Sequence, residues 1–104
     1  MENFEKKEYL NRLFDIYKEL LTDKQVKSFT YYYIDDYSLQ EIAELLEVSR
    51  NAIFDQLKNV EQHLNAYEEK LQLYKKQEAR EELLKQLEKN ADKTLIEAIR
   101  KLDE

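Results

Sequence analysis

The sequence contains no glycine, no proline and no cysteine in 104 residues. Without glycine or proline there is little to punctuate strands or to close tight hairpins, so sheet structure is not expected and long helices are. The lack of cysteine excludes disulfides and thiolate metal sites. Long apolar runs are also missing, and none approaches the roughly 20 residues that cross a bilayer. The start, MENFEKKEYL, is too charged for a secretory signal, which leads to the expectation of a cytoplasmic protein. What is present is charge: 38% of the residues are Asp, Glu, Lys or Arg, with a net charge of −6. A uniformly acidic body is repelled by phosphate backbones and by anionic headgroups, so local charge must decide any nucleic-acid role. One modest all-α body is the natural reading of this length.

Phe4, Leu10, Leu13, Phe14, Tyr17, Leu20 and Leu21 recur at spacings near three and four and predict a first helix with one apolar stripe. Thr22 and Gln25 form a capping box that opens a second helix, with Val26, Phe29, Tyr32 and Tyr33 inward. The stretch IDDYS, 34 to 38, breaks the rhythm and is read as a loop. Ser38 and Glu41 repeat the capping box and start a short third helix ending near Leu46, whose apolar positions are Leu39, Ile42, Ala43, Leu45 and Leu46.

Ser49 is a third cap candidate. From it Ile53, Leu57, Val60, Leu64, Tyr67, Leu71 and Tyr74 follow at alternating spacings of four and three, which predicts a long fourth helix. Unbroken from Ser49 to Tyr74, it measures about 39 Å. The stripe stops at Glu78. A new face begins at Leu83, Leu84 and Leu87, KNADK marks a joint, and Leu95, Ile96, Ala98, Ile99 and Leu102 supply a final helix. The expected organisation is a domain over 1–74 with a helical extension over 75–104.

Residues 38 to 60 carry the informative motif, a helix-turn-helix. Ala43 is small where two helices cross, Val48 plugs the corner, and Ile53 and Leu57 line the inner face of the second helix. Glu47 occupies the left-handed turn position that glycine usually takes, at a cost on the order of 1 kcal/mol. On this geometry Ser49, Arg50, Asn51, Phe54, Lys58 and Asn59 face outward and are the candidate DNA-binding residues. Arg suits guanine and Asn adenine, Phe54 suits a thymine methyl, and Asp55 opposes phosphate. Residues 38 to 74 are also the most acidic third, at −4, against −2 for residues 1 to 37 and 0 for 75 to 104. Binding to duplex DNA is therefore expected to be weak and salt-sensitive.

The segments LLTDKQ (20 to 25), YYIDDYSLQEIAE (32 to 44) and VSRNAIFD (48 to 55) resemble the YlxM family of small helical proteins, over roughly residues 8 to 75. The resemblance implies a helix-turn-helix like region 4 of bacterial sigma factors and a bacterial cytoplasmic protein without catalytic activity. It also implies a regulatory role linked by gene neighbourhood to the signal recognition particle and its receptor, which become the expected partners. Duplex DNA is the alternative partner.

Other residues have plainer readings. Tyr31, Tyr32, Tyr33 and Tyr37 could stack bases, but with no interleaved cations they read as packing between helices. Asp35 and Asp36 point apart and lack a neighbouring His or Glu, so neither metal binding nor catalysis is expected, and no cofactor is implied. His63 reads as a surface or rim residue. Tyr67, Leu71 and Tyr74, at the far end of the long stripe, are the candidate contact for a homodimer, while the Lys and Glu run of 75 to 89 reads as a solvated face.

Overall fold

The computed structural model describes residues 4–90 and 93–103, and every regular element among them is helical. The helices are α1 (Phe4–Tyr17), α2 (Asp23–Phe29), α3 (Leu39–Leu46), α4 (Arg50–Leu71), α5 (Leu73–Asn90) and α6 (Lys93–Leu102). A 3-10 turn over Lys18–Leu20 follows α1, and a π-helical turn over Thr30–Ile34 follows α2. The chain divides into two compact units, residues 1–71 and 72–104. The heptad pattern of the sequence places that line after residue 74.

Local chemistry sets the starts of the helices. Thr22 Oγ1 accepts from the Gln25 amide while Gln25 Oε1 accepts from the Thr22 amide. Ser38 and Glu41 make the same reciprocal pair before α3, and Ser49 Oγ accepts from the Ala52 amide before α4, at 3.0 Å. Each satisfies amides that the first helical turn leaves without partners. In the first unit α1, α2 and α3 all pack on α4. Its inner row is Ile53, Leu57, Val60 and Leu64, and Leu10, Leu13, Phe14, Tyr17, Phe29, Tyr33, Ile42 and Ala43 close over it. Phe14, Phe29 and Tyr33 form a stacked ladder, with centroids 4.2 Å and 4.5 Å apart.

Several expected positions differ. Phe4, Leu20 and Leu45 are exposed rather than inward. Phe4 lies in the first turn of α1, Leu20 is carried outward by the tighter 3-10 turn, and two-turn α3 buries only its Ile42 and Ala43 side. The loop expected at 34 to 38 starts one residue later, because the chain widens into a π turn: the amides of Asp35 and Tyr37 reach back to the carbonyls of Thr30 and Tyr31, both at 2.9 Å. This turn aims Tyr33 into the core and stacks Tyr31 on Tyr37 at 5.2 Å, so the tyrosines pack as read.

The long helix ends at Leu71, not Tyr74. Gln72 adopts φ 54° and its carbonyl accepts from the Lys76 amide at 3.0 Å, opening α5. In the second unit α5 and α6 pack together as a hairpin. The joint expected at KNADK falls on residues 91 and 92, outside the described residues, as does the side chain of Leu95.

Candidate functional site

The corner between α3 and α4 forms as the motif requires. Glu47 sits in the left-handed region at φ 56°, ψ 44°, and the amides of Glu47 and Val48 both reach the Ala43 carbonyl. Ile42, Ala43, Ile53 and Leu57 are buried there, and Val48 is half-buried over them. Closing the corner turns the first three turns of α4 outward along one flank.

Helical spacing sorts the six candidate residues into separate rows, because positions four apart share a face. Arg50, Phe54 and Lys58 line an open groove of about 610 Å³, whose far wall is built from Lys6, Tyr32, Tyr33 and Leu39. Phe54 is 47% exposed, and the Lys58 ammonium lies 5.4 Å from its ring centroid, within cation–π range. Asn59 faces a second groove of about 350 Å³, with Asp55, Gln56, Lys24 and Gln25. Asn51, exposed, lies in the Asp55 and Asn59 row. Ser49 is exposed, and its hydroxyl oxygen is engaged in capping α4. The structure thus splits the predicted set, joining Arg50, Phe54 and Lys58 and leaving the two asparagines beside a carboxylate.

Two participants were not legible in the sequence. Lys6 comes from α1, more than forty residues away, and its ammonium is 2.8 Å from Glu61 at the end of the groove. Ser28 is buried and donates to Gln56 Oε1 at 2.7 Å, which fixes α2 against the middle of α4. No periodicity signals either, since both depend on which helix the fold lays alongside.

The groove is lined by Lys6, Arg50 and Lys58, with Lys6 paired to the groove's own Glu61, and the exposed charge along α3, the turn and the start of α4 is acidic. Glu41, Glu44, Glu47 and Asp55 are all exposed. The Ser38 amide and hydroxyl hold the Glu41 carboxyl below its usual value of 4.5, so it is charged at neutral pH. A planar guanidinium, an aromatic face and an ammonium in one row suit phosphate and base edges, whereas the four carboxylates favour a basic partner.

Farther along α4, one of the candidate dimer residues is tied inward. Tyr67 is half-buried, its hydroxyl donates to the Leu20 carbonyl at 3.3 Å and its ring packs against Tyr17. Leu71 is exposed at the last position of α4, and Tyr74 belongs to α5. These three candidate dimer residues therefore do not form a stripe on one helix. His63 is exposed at the rim as expected, 3.5 Å from Gln25 Nε2. Asp36, at φ 59°, pairs with Lys7 at 2.9 Å. Among the described residues no cluster of three His, Cys, Asp or Glu is placed to hold a metal, and no helix is long and apolar enough to cross a membrane.

Residues 4–103 match the model of the UPF0122 family, described as "Putative helix-turn-helix protein, YlxM / p13 like". A UPF0122 protein of Listeria monocytogenes is 56% identical over 85 residues, covering 82% of this chain and 77% of that one. One from Oceanobacillus iheyensis is 51% identical over 94 residues, 89% of this chain and 90% of its own length. A third, from Bacillus pumilus, is 49% identical over 107 residues, covering 95% and 97%. With the match spanning nearly the whole length and the α3–α4 corner intact, the chain belongs to the UPF0122 family of YlxM/p13-like helix-turn-helix proteins.

Proposed function

We propose that this chain is a non-catalytic regulatory protein of the cytoplasm that works as a homodimer in the signal recognition particle pathway, binding a protein or ribonucleoprotein partner through its helix-turn-helix. The pathway rests on the family resemblance. The mode of binding rests on the charge around the α3–α4 corner, where Glu41, Glu44, Glu47 and Asp55 stand exposed. Residues 1–71 hold 9 Lys and Arg against 15 Asp and Glu, so the whole net charge of −6 belongs to the unit that carries the motif. Such a surface attracts a basic protein face and repels a bare phosphate backbone.

The immobilised chain is expected to retain the particle's protein, its RNA or its receptor, and retention of a protein partner should be weakened by added salt and by Glu44→Lys with Glu47→Lys. Failure to retain any of the three overturns this reading.

The second reading is a transcription regulator of the sigma-region-4 type that places α4, from Ser49 onward, in the major groove of DNA. The groove row Arg50, Phe54 and Lys58 favours it. With about two or three phosphate contacts per subunit, log affinity should fall with log salt at a slope of roughly −2 to −3 per subunit. Arg50→Ala with Lys58→Ala should abolish binding to duplex DNA at low salt. A wild-type chain that binds no duplex at low salt removes this reading.

A further inference from the structure

We infer that the second copy docks on the α5–α6 hairpin rather than on α4; this assignment rests on the homodimer reading and names its surface. The hairpin buries none of its described side chains. Its apolar residues are at best half-buried, as with Leu83, Leu87, Ile99 and Leu102, while Leu73, Leu84 and Ile96 are 44%, 41% and 38% exposed. Helices of 18 and 10 residues are marginal alone in water. Units below about 40 residues usually need a disulfide, a metal or oligomerisation. The chain has no cysteine, and no metal-binding cluster occurs among the described residues. A partner surface remains.

Charge selects the partner. Residues 72–104 carry 8 cations and 8 anions, so two hairpins meet without net repulsion, whereas pairing the first units brings together two bodies of −6 each. On α4, by contrast, Tyr67 is already engaged with Leu20 and Tyr17 inside the unit.

Sedimentation equilibrium of the full chain is expected to give twice the 12.7 kDa chain mass, and Leu84→Asp with Ile96→Asp should halve it. Because that variant can also unfold the hairpin, Leu84→Cys provides a milder probe in a chain with no native cysteine. Gentle oxidation should convert it to a covalent dimer, while Leu45→Cys, on α3, should form no covalent dimer under the same conditions. A dimer that survives the paired aspartates but is split by Leu71→Asp, or a Leu84→Cys chain that does not cross-link, overturns the hairpin surface alone. A wild-type mass of one chain at every concentration overturns the homodimer reading with it.

Discussion

Residues 4–71 and 72–103 are made of similar material, charged helices with an apolar residue every third or fourth position, and they use it differently. In the first unit three helices converge on α4, so Ile53, Val60 and Leu64 are wholly shielded from water. In the second, α5 and α6 pack on each other, and Leu84 and Ile96 remain open to solvent. The difference teaches that an amphipathic stripe is a requirement for burial and not a guarantee of it. Core formation depends on how many elements cross at the stripe.

The largest expected effect that sharpens this contrast is a matched pair of truncations. Ile53→Ala should lower unfolding free energy by about 2–4 kcal/mol, through lost transfer energy and an incompletely filled cavity. Leu84→Ala in dilute solution, where the chain is monomeric, should cost under about 1 kcal/mol. Urea melts of both variants check the pair, and equal costs would erase the distinction between the units. Next is Ser28→Ala, which leaves the inward Gln56 amide short of its donor and should cost about 1–2 kcal/mol in the same melts. Smaller and opposite in sign is Glu47→Gly. Relief of the left-handed strain, on the order of 1 kcal/mol, is partly offset by the greater unfolded-state freedom of glycine, so the thermal midpoint should rise slightly. A fall would mean that the Glu47 side chain contributes more than its backbone costs.

The smallest effect concerns Glu41. Its carboxyl titrates below the usual 4.5 in the folded chain because the Ser38 amide and hydroxyl bind the charged form. A depressed folded value makes the contribution fully present above 4.5 and lost as the pH falls through the lower folded value. Glu41→Gln keeps an oxygen for the Ser38 amide and removes the titration. The midpoints of wild type and variant should therefore converge as the medium becomes more acidic than 4.5. Parallel acid profiles would show that the box gains nothing from the charge.

Much of the first unit was legible because its signals are local. Thr22 with Gln25, Ser38 with Glu41, and Ser49 each mark a helix start through bonds closed within four residues. Glu47 took the left-handed turn because Ala43, Val48 and Ile53 demanded a corner there. The break at Gln72 had no such mark, since no glycine announces it and the heptad spacing runs on to Tyr74. The candidate site was half legible. That Arg50, Phe54 and Lys58 share a row follows from helical spacing, whereas Lys6 and Tyr32 joined them only through packing.

The sequence by itself determined which segments are helical, where three of them begin and which α4 residues turn inward, because caps and periodicity act over a few residues. Tertiary structure alone decided the π turn that aims Tyr33 into the core, the Ser28–Gln56 bond, the groove wall supplied by α1 and the outward swing of Leu45. Those features depend on contacts between helices distant in the chain, which come into being only when the elements pack.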